Sequence, residues 1–162
     1  MSTRHTTVDT PIGELTLVND GGALSGVYFP GHWTRPDPAG FGAWSDRGFE
    51  EAERQLAEYL AGERTAFELE TSAAGDPFQR RVWEMLAGIP YGRTTTYGEI
   101  ARELGNPTLA RRVGGAVGQN PLSLVVPCHR VVGKDGALTG YAGGLERKQF
   151  LLELEGATLA LF

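Results

Sequence analysis

Residues 114–133 read GGAVGQNPLSLVVPCHRVVG, and the fold turns on how that stretch is read. Leu109, Val113, Ala116 and Val117 recur at helical spacing and predict a helix over residues 108–118, with Gly114 and Gly115 inside it. Each glycine costs about 1 kcal/mol relative to alanine in a helix interior, so a compensating gain is expected there. Two gains fit: another helix packs closely against the glycines, or a DNA backbone or groove floor comes close to them. After Gln119 and Asn120, the run PLSLVVPCHRVVG is apolar and bounded by turn residues. It predicts a buried extended segment carrying Cys128, His129 and Arg130.

Cys128 is the sole cysteine of the 162 residues. An intramolecular disulfide and a multi-cysteine zinc site are thereby excluded, leaving a small buried hydrophobe or a reactive thiol. A thiol attacks as its thiolate, and an imidazole held by a carboxylate is the usual proton acceptor. Neighbouring side chains of an extended segment point to opposite faces, so Cys128 and His129 would need a bridging water or a bend at Pro127 to communicate. Glu155, near the end of the last helical stretch, is a candidate for the carboxylate. The same three residues also fit a cysteine hydrolase triad, but nothing in the sequence marks the oxyanion hole such an enzyme needs.

Upstream, Asp76 is placed to cap a helix that starts at Pro77 and turns Phe78, Val82, Met85 and Leu86 to one side. Thr96 and Glu99 stand at capping-box spacing ahead of Ile100 and Leu104, with Gly105 as the stop. This short helix, the turn at Asn106-Pro107 and the helix of residues 108–118 form a candidate helix-turn-helix, on which Arg111 and Arg112 emerge beside the apolar stripe. A helical hairpin buried in a core has the same pattern. Downstream, LTGYAGGLERKQFLLELEGA reads as a glycine-rich loop leading into an amphipathic helix that stops near Gly156.

The first 30 residues predict an antiparallel meander of HTTVD, ELTLVN and ALSGVYF, with turns at Pro11-Ile12-Gly13 and Asp20-Gly21-Gly22. Residues 31–48 lack periodicity and read as an irregular connection. Phe49, Ala52, Leu56, Tyr59 and Leu60 fit one face of a helix ended by Gly62, and TAFELE over residues 65–70 alternates like a short strand. The composition shifts at TSAAG, residues 71–75, which predicts two domains, 1–73 and 74–162.

Charge divides near the same place. The net charge is -5, but residues 1–75 hold 5 basic against 12 acidic side chains (-7) and residues 76–162 hold 10 against 8 (+2). A polyanion is therefore expected to meet the C-terminal half. No run of about 18 apolar residues occurs and the first residues lack a secretory apolar core, so a soluble cytoplasmic protein without a membrane partner is expected.

GGAVGQNPLSLVVPCHRVVG followed by TGYAGGLERKQFLLELEGA resembles the signature of the O6-alkylguanine-DNA alkyltransferases, most closely their single-function bacterial branch. PCHRV preceded by Asn120-Pro121 and followed by Tyr141 and Gly143-Gly144 carries the likeness. It runs from Phe78 to about Gly156 and more loosely over the N-terminal half. The resemblance implies an α+β fold. Its N-terminal domain would be a ribonuclease-H-like three-stranded antiparallel sheet with a helix, and its C-terminal domain mostly helical and winged-helix-like, containing the helix-turn-helix.

It also implies a suicide DNA repair transferase, needing no cofactor and no metal, that moves the alkyl group of O6-alkylguanine (or O4-alkylthymine) in double-stranded DNA onto Cys128. The implied catalytic residues are Cys128, His129 linked to it through water, Glu155 holding the imidazole, Asn120 tying the helix-turn-helix to the acceptor segment, and Tyr97 near guanine N3. Arg111 would fill the hole left by a flipped base, on a helix that meets the minor groove with Ala110, Gly114, Gly115 and Arg112. Tyr141, Ala142, Ser123 and the Val131 carbonyl would form the base pocket. Leu109 and Arg112 are larger than the residues often found on this helix face, Ala142 stands where some relatives carry serine, and Ser123 replaces a proline. The resemblance further implies a monomer in solution and is compatible with cooperative assembly on DNA.

Overall fold

The computed structural model describes residues 3–32 and 35–157. Residues 33 and 34 of the expected irregular connection, and the last five of the C-terminal half, lie outside the described residues. The meander forms as β1 (Thr3–Thr10), β2 (Gly13–Asp20) and β3 (Ala23–Tyr28), with β1 and β2 paired in unbroken register from Thr3 opposite Asp20 to Thr10 opposite Gly13. Alternation along β2 sends Leu15 and Leu17 into the main core.

The sheet has four strands rather than three. β4 (Ala43–Trp44) joins the outer edge of β1 in parallel, giving the order β3-β2-β1-β4. A 3-10 turn at Pro38–Phe41 stacks Phe41 on Tyr28 with ring centroids 5.4 Å apart, which brings the residues after it to that edge. Aperiodic sequence thus hides a strand only two residues long.

α1 (Glu50–Leu60) buries Ala52, Leu56, Tyr59 and Leu60 as its spacing predicts. TAFELE does not form the expected strand. The amide of Gln55 on α1 accepts from Glu68 N–H at 2.8 Å and donates to the Glu68 carbonyl at 3.1 Å, so a side chain takes the bonds a ladder would have taken. Only Thr71 makes a single bridge, to Leu24.

The second half contains α2 (Pro77–Ala87), β5 (Thr95–Thr96), α3 (Tyr97–Glu103), α4 (Ala110–Gly118), β6 (Val131–Val132) and α5 (Leu145–Leu154), with β5 and β6 paired in parallel. Asp76 caps α2 in a reciprocal box with Gln79. At α3 only half of the expected box forms: Thr96 accepts from Glu99 N–H at 3.1 Å, while the Glu99 carboxylate takes the Thr95 hydroxyl at 3.3 Å.

The turn of the helix-turn-helix is a Schellman motif. Gly105, at φ +93°, donates to the Arg102 carbonyl at 2.9 Å and Asn106 N–H to that of Ala101 at 3.1 Å. Asn106 then accepts from Thr108 N–H at 3.0 Å and starts the 3-10 turn that leads into α4.

PLSLVVPCHRVVG is buried but not extended. Only Val131–Val132 is strand, and residues 121–127 fold into turns in which Leu124 adopts φ +74°. Asn120 imposes this by accepting from Leu122 N–H at 3.0 Å and donating to the Val126 carbonyl at 2.9 Å, which doubles the segment back on itself. The last helix departs from a clean amphipathic pattern, because Lys148 shares its buried face with Leu151 and Leu152 while Leu145 and Phe150 stay exposed.

One core cluster runs through both halves, from Leu15, Phe29 and Tyr59 to Val113, Leu122 and Leu151. Val27 N–H donates to the Pro121 carbonyl at 2.8 Å, so β3 lends its free edge to the segment leading to Cys128. Among the described residues, no helix is long and apolar enough to cross a membrane.

Candidate active site

Pro127 sets the position of the thiol. Its φ of -80° and ψ of 66° form an inverse γ-turn, closed by Cys128 N–H on the Val126 carbonyl at 2.8 Å. Cys128, His129 and Arg130 continue as one 3-10 turn. A bend at Pro127 is therefore present, and it sends the cysteine and the histidine into different surroundings.

Cys128, 6% exposed, lines a cavity of about 150 Å³ together with Tyr97, Gly114, Asn120, Ser123, Tyr141 and Ala142. The glycine pair of α4 divides its duties. A Cβ on Gly114 would meet the Tyr97 ring at 3.7 Å, an ordinary van der Waals contact on the cavity side of α4, whereas Gly115 is exposed with open space before it. Ala110 is half-buried, and Arg111 is exposed without a hydrogen-bond or ion-pair partner among the described residues. The Arg112 guanidinium lies over the Phe78 ring, 3.9 Å from its centroid. Val131 is fully buried in β6, paired with Thr95, and is not part of the cavity wall.

Behind the cavity, His129 and Glu155 meet at 2.8 Å between Nε2 and Oε2, both side chains fully buried. α5 also ends in a Schellman motif, with Gly156 at φ +72°, and this stop places Glu155 at the helix cap. Arg130 donates to the same carboxylate from Nε at 2.8 Å and Nη2 at 2.9 Å, and Tyr59 Oη donates to Oε2 at 2.5 Å. Burial alone would raise the Glu155 carboxyl, but the hydrogen bonds from His129, Arg130 and Tyr59 prevail and hold it at about 2. Burial keeps the His129 imidazolium disfavoured despite its carboxylate partner, so its pKa is lowered and the ring is neutral at neutral pH.

The tautomer follows from the partners. An ionised carboxylate only accepts, so Nε2 carries the proton and Nδ1 keeps its lone pair. His129 Nδ1 is buried and has no hydrogen-bond partner, whereas the Tyr141 hydroxyl on the wall of the cavity interacts with Cys128 and Ser123. Native interiors rarely leave a buried ring nitrogen unpaired, and Nδ1 is free to take a new partner during chemistry. Burial pushes the Cys128 thiol up, and the Asn120 side chain and the Lys148 ammonium pull the other way without overcoming it. Burial likewise raises the Tyr97 phenol, whose oxygen accepts from the Thr139 hydroxyl at 3.3 Å, leaving the phenolic proton to be donated elsewhere.

Three residues of this neighbourhood carry no role in the sequence reading. Tyr59 was visible there only as one position of an apolar stripe, and Arg130 only as the neighbour of His129. Lys148 is fully buried, donates to the Thr139 carbonyl at 2.9 Å, and is lowered by burial to about 8. A lysine on the inward face of α5 was the one signal that could have revealed it. Among the described residues no cluster of three His, Cys, Asp or Glu side chains could hold a metal ion.

Fold and site together define a class, a buried cysteine in a cavity walled by a helix-turn-helix, because α4 lines with Gly114 and Val117 the cavity that Cys128 lines. Residues 77–157 match the 6-O-methylguanine DNA methyltransferase DNA binding domain, and residues 3–73 match the ribonuclease-like domain of the same proteins. The chain belongs to the 6-O-methylguanine DNA methyltransferase family.

Among its relatives, the methylated-DNA--protein-cysteine methyltransferase of Mycolicibacterium paratuberculosis is 49% identical over 164 residues, covering 98% of each chain. That of Mycobacterium tuberculosis strain H37Rv is 48% identical over 159 residues, covering 93% of this chain and 91% of its own. The solved M. tuberculosis O6-methylguanine methyltransferase superposes with a TM-score of 0.86 at 45% identity, covering 95% of this chain and 93% of its own. A structure of M. tuberculosis OGT in complex with DNA gives 0.85 at 47% identity, covering 94% and 92%.

Proposed function

We propose that this protein repairs DNA by direct reversal, taking the alkyl group of O6-alkylguanine onto Cys128 and being consumed in the act. One observation carries the assignment: the chain's sole cysteine lines the cavity beside α4, with a neutral histidine behind it whose Nδ1 is unpaired and whose Nε2 is held by a buried carboxylate.

The steps follow from that arrangement. His129 Nδ1 receives the thiol proton through a bridging water, while Glu155 stabilises the resulting imidazolium from the opposite ring nitrogen. The thiolate attacks the alkyl carbon in line; the carbon–sulfur bond forms as the carbon–O6 bond breaks. Tyr97 donates its phenolic proton toward N3, so guanine departs neutral and stays in the DNA, and the phenol recovers a proton from solvent while the His129 imidazolium gives up the one it took from the thiol. The thioether product does not hydrolyse at neutral pH, hence one turnover per chain.

O6 lies inside the base pair, so the nucleotide must be extruded, a cost of a few kcal/mol that is least for a badly paired lesion. The reading places duplex DNA on the exposed face of α4, with Arg111 filling the emptied stack, Ala110, Gly114, Gly115 and Arg112 at the minor groove, and Tyr141, Ala142 and Ser123 receiving the base. It divides the chain into domains at residues 1–73 and 74–162, and takes the protein as a cytoplasmic monomer in solution.

The test compares Cys128→Ser with the parent on one duplex carrying O6-methylguanine, measuring binding and methyl transfer side by side. Unchanged binding with no transfer is expected. Methyl transfer by the serine variant would refute the acceptor.

A further inference from the structure

We propose that Tyr59, on the N-terminal helix α1, is a positioning residue of the acceptor relay, its phenol fixing the carboxylate that orients His129. This rests on the function proposed above and extends it to a residue in the other half of the chain.

Tyr59 is 1% exposed, and its hydroxyl reaches 96 residues along the chain to Glu155 Oε2 at 2.5 Å. The same oxygen accepts from His129 Nε2, and the phenol oxygen lies 3.4 Å from that nitrogen. Phenol, imidazole and carboxylate thus form one closed group in which Tyr59 and His129 share Oε2 with Arg130 Nη2. Packing alone does not call for a hydroxyl there, since the ring's own contacts are aromatic, to Phe67 at 5.2 Å and Tyr91 at 6.3 Å between centroids.

A donor on the shared oxygen has two effects. It restricts the carboxylate to the orientation that holds Nε2–H, and it draws charge from Oε2, which weakens that oxygen as the partner of an imidazolium. Tyr59 therefore trims the basicity of His129 while keeping the ring aimed. Every charged or titratable group around His129 enters this balance: Glu155 and Lys148 from α5, Arg130 and Cys128 from its own turn, Tyr59 from α1, and Tyr91 behind Tyr59 and Arg130.

Tyr59→Phe removes the donor and keeps the ring. In the full-length variant, single-turnover methyl transfer from an O6-methylguanine duplex at neutral pH is expected to slow by about tenfold, a part of the 10²–10⁴ that a positioned base contributes. The acid limb of the pH–rate profile is expected to move to higher pH, because a more basic His129 is protonated sooner. Slower transfer with an unmoved acid limb, in step with a lower melting temperature, would reduce Tyr59 to a core residue and overturn the proposal. Unchanged rate and profile would overturn it as well.

A second readout does not depend on activity. The chain has three histidines, so ¹⁵N-histidine NMR resolves His129, whose titration midpoint is expected to rise in the variant. Finding the His129 proton on Nδ1 in the parent protein would contradict the network outright. If the parent transfers no methyl, the proposed function fails, and the NMR titration still decides the role of Tyr59.

Discussion

Arg130 and Glu155 are joined at two points, Nε to Oε1 at 2.8 Å and Nη2 to Oε2 at 2.9 Å, with both side chains inside the protein. The guanidinium supplies the charge that lets the carboxylate stay ionised without turning the adjacent imidazole into a cation. Charge neutralisation and ring orientation are thus handled by different residues, and each is open to test.

Arg130→Met leaves the Glu155 charge buried without its cation. Breaking a buried pair from one side costs about 3–5 kcal/mol. At about 2–4 °C per kcal/mol for a chain of this size, the melting temperature is expected to fall by about 10 °C. Calorimetry on parent and variant checks this, and a loss of a degree or two would mean that the pair stabilises little.

Acid should weaken the fold in two stages. The His129 and His32 pKa values are lowered, that of His32 to about 4, mainly by burial. The unfolded chain therefore binds these protons first, and stability falls as the pH drops below 6.5. Glu155 is held at about 2, so its contribution is complete above its ordinary 4.5 and is lost as the pH falls from there toward 2. Urea midpoints measured from neutral pH downward should decline through both windows; a flat line between pH 6.5 and 4 would contradict the buried neutral histidines.

Lys148 separates stability from chemistry. Its ammonium is buried with one hydrogen bond, to the Thr139 carbonyl, and it draws the Cys128 thiol downward. Lys148→Met should melt no lower than the parent at neutral pH, because a poorly compensated buried charge is replaced by an apolar chain of similar volume. Methyl transfer should nonetheless slow, since the thiolate loses a cation that favours it. A melting temperature several degrees lower would show that the ammonium holds the fold.

The outer face of α4 gives an opposite pair of outcomes. Gly115 has open space where a Cβ would sit and lies in a helix, so Gly115→Ala should add about 1 kcal/mol of stability. If that face meets DNA, the same change weakens binding. Arg111→Ala should weaken binding with no change in melting, as its side chain has no partner within the described residues. Titration of a fluorescent duplex, paired with thermal melts, reads both; undiminished binding by both variants would move the DNA footprint off α4.

Much of this was legible in the sequence where local chemistry decides. Alternation and turn residues announced β1 to β3, Asp76-Pro77 announced the start of α2, and Gly105 the stop of α3. The same logic failed where a distant partner decides. β4 pairs two residues from an aperiodic stretch, TAFELE loses its ladder to the Gln55 side chain, and an apolar run reads as a strand although Asn120 folds it into turns. At the site, PCHRV and Glu155 stood out by residue type. Tyr59 did not, because helical spacing reports that a side chain is buried and not what its tip reaches 96 residues away.

The central claim is that Cys128 accepts one alkyl group and is not regenerated. Intact-mass spectrometry during titration of the protein with an O6-methylguanine duplex tests it most directly. The account predicts a gain of one methyl per chain, located on Cys128, with repair stopping at one equivalent of DNA. An unchanged mass after the lesion has been repaired, or repair continuing past one equivalent, would contradict it.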